Sequence, residues 1–372
     1  MKRCIFYLPY KLDEQASGAR MLRPRKMIQA FSEIGYEVFV VEGVSSERRK
    51  KIRELKTQIA NGIEYDFMYT ESHTEPTLLT DPNHLPTHPF LDFGFFKYVC
   101  KKGIKIGLFY CDIYWKFKSY GADLPMWKKC GALINYRYDI RQYRRLLSKF
   151  YVPDMKMCEY INEKKLTQIA RELPPGADNL EALTHKKYEE DCFSSNPLVV
   201  FYVGGLGRQY KIVELIEAIQ QTKGTKLVIC CREAEWEKEK DELKKHMCER
   251  VEVVHKKSNE LADLYRRADV CSLMFEPDEY RGLAKPFKAY EYLSHEKPML
   301  STRGTAIGKF VEENEIGWNI DYNAKEISRV LLDILEKPEM LNRVVKNCES
   351  TRIRNLWKTR AEQVARDLME EK

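Results

Sequence analysis

Side chains suited to chemistry gather at three places in the chain. The first is a turn that follows an apolar run, Phe201-Tyr202-Val203-Gly204-Gly205-Leu206-Gly207-Arg208-Gln209-Tyr210-Lys211, ahead of an expected helix over 212–219. A helix N-terminus offers unpaired N–H donors and a partial positive charge, and glycine removes the Cβ that would hold a diphosphate off. Arg208 and Lys211 would add formal charge; the plain alternative is that the glycines only turn the chain. Gly18, beyond the first apolar run, is a weaker case of the same arrangement. The second place is 281–301, where Lys288 and Glu291 stand three residues apart on an expected helix and so share a face. Its bland reading is a surface ion pair. The third is Asp112, a carboxylate just past the apolar run 104–110 and amid Tyr110, Tyr114 and Trp115. Strand ends are where such folds keep chemistry, whereas an N-cap for the next helix is the structural alternative. Arg137, Asp139 and Arg141 are further polar groups of low specificity. His84 and His88 have a zinc-like spacing, but Pro82, Pro86 and Pro89 forbid the regular helix that would aim both at one metal, so they read as loop histidines.

These residues need a scaffold, and the apolar pattern supplies one. Short apolar runs at 4–8, 37–41, 65–70, 104–110 and 150–152 alternate with amphipathic segments. Met27, Ile28, Phe31 and Ile34 recur at helical spacing, and Gly35 follows where a C-cap glycine belongs. After a turn-rich stretch from Leu173-Pro174-Pro175-Gly176 to Asn196-Pro197 the pattern resumes with runs at 198–203, 226–231, 251–254 and 270–275, and 233–245 reads as an exposed helix. Strands that alternate with helices predict α/β architecture with doubly wound parallel sheets, whose ligands lie at the C-terminal strand ends. A chain of 372 residues accommodates two such domains, expected at 1–180 and 181–354, with 355–372 returning to the first.

Composition narrows the classes. Pro9 and Lys11 end the first apolar run too early for a signal-peptide core, and no uncharged apolar stretch approaches the roughly 18 residues of a membrane span. The 11 cysteines are scattered through apolar segments and read as reduced core thiols, which predicts a cytoplasmic protein. Overall the chain carries 63 Lys and Arg against 56 Asp and Glu, but residues 1–180 hold 30 against 21 and the remainder 33 against 35. A basic first half suits an anionic partner such as a membrane surface or a lipid-linked phosphate; the alternative is solvated lysines in runs such as Arg48-Arg49-Lys50-Lys51. Nucleic acid is not expected, since no stretch interleaves aromatics with Arg and Lys in a recognised module.

The segment Arg281-Gly282-Leu283-Ala284-Lys285-Pro286-Phe287-Lys288-Ala289-Tyr290-Glu291-Tyr292-Leu293 through Lys297-Pro298 resembles the nucleotide-sugar segment of retaining GT-B glycosyltransferases of the family-four type, the glycosyl transferases group 1. Similarity extends to Val152-Pro153, to Gly204-Gly205 and to Asn355-Leu356-Trp357-Lys358, hence over most of the chain. The resemblance implies two Rossmann-like domains facing across a cleft. It also implies transfer of a sugar from a nucleoside-diphosphate sugar to a hydroxyl of a glycan or lipid-linked acceptor, with retention of configuration.

In that reading Glu291 takes the ribose hydroxyls, Lys288 or Lys285 approaches the diphosphate, and the backbone from Gly282 to Ala284 nears the sugar. Gly18, Gly204 and Gly205, with Arg208 and Lys211, stabilise the leaving diphosphate, and Asp112 is the catalytic candidate. Leu283 occupies the position where many members carry a second glutamate, which leaves Glu276 or Glu279 as substitutes. No Asp-x-Asp motif occurs, so a metal-independent enzyme is expected, with no cofactor beyond the donor itself. The setting implied is surface-polysaccharide assembly on the inner face of a membrane, with the protein held there peripherally. The rivals are an epimerase of the same fold and a non-catalytic nucleotide-sugar-binding regulator.

Overall fold

A computed structural model describes residues 1–13, 18–180, 186–207, 210–257 and 260–370. The chain forms two units, Met1–Gly176 with Trp357–Lys372, and Ala177–Leu356. In the first, six parallel strands, β1 (Lys2–Tyr7), β2 (Tyr36–Val41), β3 (Phe67–Glu71), β4 (Lys105–Phe109), β5 (Lys149–Val152) and β6 (Ala170–Glu172), lie in the order β2-β1-β3-β4-β5-β6. In the second, β7 (Leu198–Val203), β8 (Thr225–Cys230), β9 (Val251–Val254), β10 (Val270–Leu273), β11 (Met299–Thr302) and β12 (Gly317–Ile320) lie in the order β12-β11-β10-β7-β8-β9. The expected pair of doubly wound α/β domains is therefore present.

The order sets where ligands can go. In each sheet the chain starts in the interior, builds to one side, then returns and builds to the other. The reversal leaves a crevice at the carboxyl ends of β1 and β3 in the first sheet and of β7 and β10 in the second. Three strands lie outside the apolar runs, Met299–Thr302 and two others. Ala170-Arg171-Glu172 has no apolar pattern and is a strand because it pairs with Phe150–Val152; Gly317-Trp318-Asn319-Ile320 reads as a turn, but its ladder with Met299–Thr302 makes it a strand.

Buried strand faces explain the continuous apolar runs. Phe6, Phe67 and Tyr69 are fully buried and cluster with Phe31 of the helix Ala19–Glu33, which Gly35 ends at φ +89. The turn-rich stretch expected as a polar linker begins as core: Leu173 and Ala177 are fully buried. Within the first unit Gly176 abuts Trp357 so closely that a Cβ there would lie 2.7 Å from the Trp357 backbone. The helix Trp357–Met369 then packs on the helix Ala19–Glu33. One of the expected solvated cations is also core. Arg48 is 2% exposed, donates to Asp92 at 3.0 Å and to the carbonyls of Pro9 and Gly43 at 2.8 and 2.7 Å, and so holds the loop that leaves β1.

Candidate functional site

The crevice between β7 and β10 collects most of the residues singled out in the sequence. β7 runs into Gly204, β10 leads through Met274 and Phe275 to Glu276, and the helix Phe287–Ser294 comes from the segment after β10. Pro286 precedes that helix at φ −69, a geometry suited to a helix start. Its Tyr292 hydroxyl sits between the two strands: it accepts from the Val203 N–H and donates to the Ser272 carbonyl, each at 3.2 Å. Tyr292 thus ties the ends of β7 and β10 and fixes the helix that carries Lys288 and Glu291 over the crevice.

Lys288 is the electrostatic centre of the site. Its Nζ is shut off from solvent and makes no hydrogen bond among the described residues, and it lies 4.5 Å from the centre of the Tyr202 ring and 5.8 Å from that of Tyr210. Burial lowers its pKa from 10.5 to about 7, helped by Arg281 and opposed by Glu291. Tyr202 donates to the Gly205 carbonyl at 2.7 Å, and Arg281 lies 4.3 Å over the Tyr210 ring. A buried cation without a hydrogen bond costs folding free energy unless an anion offsets it. The structure therefore brings together the glycine turn and the Lys288–Glu291 helix, which are far apart in sequence.

In the glycine turn two amides are already engaged. The Gly204 N–H is engaged by the Cys230 carbonyl at 3.0 Å, in line with the β7–β8 ladder, and the Leu206 N–H by Glu235 at 3.0 Å. Gly204 therefore contributes room rather than an amide: a Cβ on it would stand 3.4 Å from Lys288 Nζ, and one on Gly205 would meet the Tyr210 ring at 2.9 Å. Arg208 lies outside the described residues. Lys211 is half-exposed and ion-paired with Glu276, so these two side chains bridge the carboxyl ends of β7 and β10. Leu283 is buried at 4% exposure in the short turn Arg281–Leu283, whereas Ala284 is exposed and Lys285 half-buried.

The first unit places its candidates differently. Gly18 is the exposed N-cap of the helix Ala19–Glu33, and its carbonyl accepts from Met21 and Leu22. A Cβ would find open space there, so packing does not demand glycine. Asp112 accepts from the Tyr114 N–H at 2.7 Å, an Asx-type turn that leads into the short turn Tyr114–Lys116. Tyr110 and Trp115 are core, joined by a 2.8 Å hydrogen bond, and Trp115 stacks on Tyr136 at 4.9 Å. Asp139 is no acceptor-side group. It is buried, receives the Thr77 N–H at 2.7 Å, and burial pushes its pKa up to about 7. Arg137 and Arg141 are exposed. His84 and His88 bond separately, to the Leu79 carbonyl and to Ser45.

Two features of this unit escaped the sequence reading. Glu71 at the end of β3 is buried against Arg23 at 3.3 Å and accepts from Tyr69 at 2.9 Å, while Arg23 lies 3.5 Å over the Phe109 ring. Burial raises the Glu71 pKa and Arg23 opposes that shift. Two residues on, His73 packs on Tyr10 at 4.8 Å, joining the ends of β1 and β3. Its Nδ1 accepts the Glu75 N–H at 3.1 Å, and burial with Arg20 and His84 lowers its pKa to about 4. The neutral ring therefore carries its proton on Nε2. The strand-end rule that selected Asp112 would have selected His73, had β3 been read to its last residue.

Known proteins match this arrangement. Residues 186–351, nearly all of the second unit, match the family model for glycosyl transferases group 1. That identifies the second unit as a glycosyl transferases group 1 domain. No curated protein matches the chain by sequence. Among solved structures, HepE from Anabaena, in complex with UDP and glucose, is similar at 12% identity with a TM-score of 0.60 over 99% of both chains. Sucrose-phosphate synthase from Thermosynechococcus elongatus is 15% identical with a TM-score of 0.62 over 98% of both. A glycosyltransferase from Rickettsia africae is 13% identical with a TM-score of 0.62 over 100% of both. At these identities the likeness shows the fold, the GT-B pairing of two Rossmann-like domains. With the family match to the second unit, the protein is a glycosyltransferase of the GT-B kind.

Proposed function

We propose that this glycosyltransferase draws its sugar from a nucleoside-diphosphate sugar held over the β7–β10 crevice and passes it to a hydroxyl of a glycan or lipid-linked acceptor, with retention of configuration. The observation that carries the donor reading is Lys288: an ammonium buried at a crevice, without a hydrogen bond, on the same helix face as a carboxylate. A diphosphate answers that cation, and the ribose hydroxyls suit Glu291. Charge grows on the leaving diphosphate as the glycosidic bond breaks, so a cation already desolvated beside it gains most in the transition state. Lys285 and the backbone of Leu283 and Ala284 extend the site toward the sugar. Attack from the face that the leaving group quits, with the departing phosphate taking the acceptor proton, needs no carboxylate nucleophile. Asp112 and the Gly18 helix start are the first unit's contribution. Its net positive charge suits an acceptor presented at an anionic membrane surface, in surface-polysaccharide assembly.

The test is a thermal-shift screen against UDP, GDP, ADP, CMP and their sugars, repeated with Lys288→Met and Glu291→Ala. Uridine comes first, because HepE, which shares the fold, holds UDP. A selective shift in the wild type that both variants lose is the expected result; no shift with any nucleotide would overturn the donor site.

A further inference from the structure

The helix Met126–Leu146 has an outer face that folding leaves without a partner. Its inner face is Ala132, Tyr136, Asp139, Ile140 and Tyr143, all buried. On the outer side, Met126, Cys130 and Ile134 recur at four-residue intervals and Trp127 stands two turns before Ile134, so these side chains share one face. They are well exposed: Met126 and Trp127 each 72%, Ile134 65%, with Leu124 just before the helix at 45%. Further along the same face the sequence turns basic, with Arg137, Arg141 and Arg145, and with Arg144, which is ion-paired with Glu163 at 3.5 Å. From Lys116 to Arg145 there are 8 Lys and Arg against 2 acidic residues, and one of those two, Asp139, is buried.

We infer that this face is a docking surface for an anionic lipid bilayer, with Trp127, Met126 and Ile134 entering the headgroup boundary and the arginines resting on lipid phosphates. The pattern fits an interfacial helix, whose apolar side chains bury shallowly while basic groups meet anionic headgroups. Tryptophan favours that boundary because its ring is apolar and its N–H polar. Charge complementarity selects this occupant over a second copy of the chain, since a second copy brings the same basic row, and its one acidic residue between 124 and 145, Asp139, is buried. The inference gives a location to the membrane setting proposed above and rests on it, but it does not involve the donor crevice.

The full chain is floated with vesicles of phosphatidylcholine, with and without added phosphatidylglycerol, at low and physiological salt. Binding is expected only to the anionic vesicles and to weaken with salt. In W127S/I134S it should fall by about tenfold or more, as loss of two buried apolar side chains requires, while the thermal shift with UDP stays intact. Equal flotation of the variant, or none by the wild type, overturns the inference. So does sedimentation showing a wild-type dimer that the variant converts to monomer, because a second copy would then cover the face. Loss of the UDP shift in a wild type that still floats would sink the donor reading alone.

Discussion

The two crevices share a topology and differ in how their charge is met. At the β1–β3 reversal the first unit sets a carboxylate against its cation: Arg23 has Glu71 at 3.3 Å, the Leu173 carbonyl at 3.2 Å and the Phe109 ring, although its Nε and Nη1 make no hydrogen bond among the described residues, and His73 is neutral and packed on Tyr10. At the β7–β10 reversal the second unit buries the Lys288 ammonium among aromatic rings with no hydrogen bond for it. The same fold thus gives a buried cation a buried carboxylate at ion-pair distance in one place, and in the other leaves a buried cation to aromatic rings and the longer-range pull of Glu291. The second arrangement costs stability unless an anion offsets it.

The largest expected effect breaks the braced side. Glu71→Ala leaves Arg23 buried without its carboxylate and should destabilise the protein by about 3–5 kcal/mol, measured by urea unfolding. A loss near zero would mean that Arg23 is answered elsewhere, and the contrast between the crevices would fail. Next comes Lys288→Met, which should weaken UDP binding about tenfold or more, as expected for a charge-assisted contact. The same variant should raise the stability of the ligand-free protein, and the sign follows from proton binding. With its pKa lowered from 10.5 to about 7, folded Lys288 binds fewer protons than the unfolded chain between those values. Its penalty is therefore full below about pH 7 and fades as pH rises toward 10.5. The melting-temperature gain of the variant should be clear near pH 6 and shrink by pH 10.

Proton uptake sharpens the comparison further. An anion beside Lys288 restores its charge, so UDP binding at about pH 8 should take up protons, seen as a buffer-dependent heat that Lys288→Met abolishes. The smallest effect concerns Tyr292→Phe, which removes a hydroxyl tied to both Val203 and Ser272. It should cost about 1–2 kcal/mol of stability, the scale of two neutral hydrogen bonds, and move UDP affinity only through the placement of Lys288. Affinity lost without stability would make Tyr292 a ligand contact instead of a brace.

Much of the frame was legible because parallel strands buried on both faces must be apolar throughout. The runs that became β7 and β9 were read to the residue, Leu198–Val203 and Val251–Val254. β6 and β12 were not legible, since each exists through its neighbour's ladder and not through its own side chains. Lys288 and Glu291 stood out by spacing, and Asp112 by its place just past β4, where it bonds the Tyr114 N–H. The glycine turn was legible as a turn beside the crevice, whereas sequence does not reveal that the Gly204 N–H is already taken by Cys230.

What the sequence by itself determined is the alternation of strand and helix, the paired doubly wound domains and the residue types at the second unit's crevice, because burial periodicity and local turn chemistry are short-range properties. Only the tertiary structure decided which charges are answered. It set Arg23 against Glu71 and Arg48 against Asp92, both pairs distant in sequence, and gave Lys288 no hydrogen bond. Those outcomes depend on which side chains meet when strands far apart in the chain become neighbours, and on how completely that meeting excludes water.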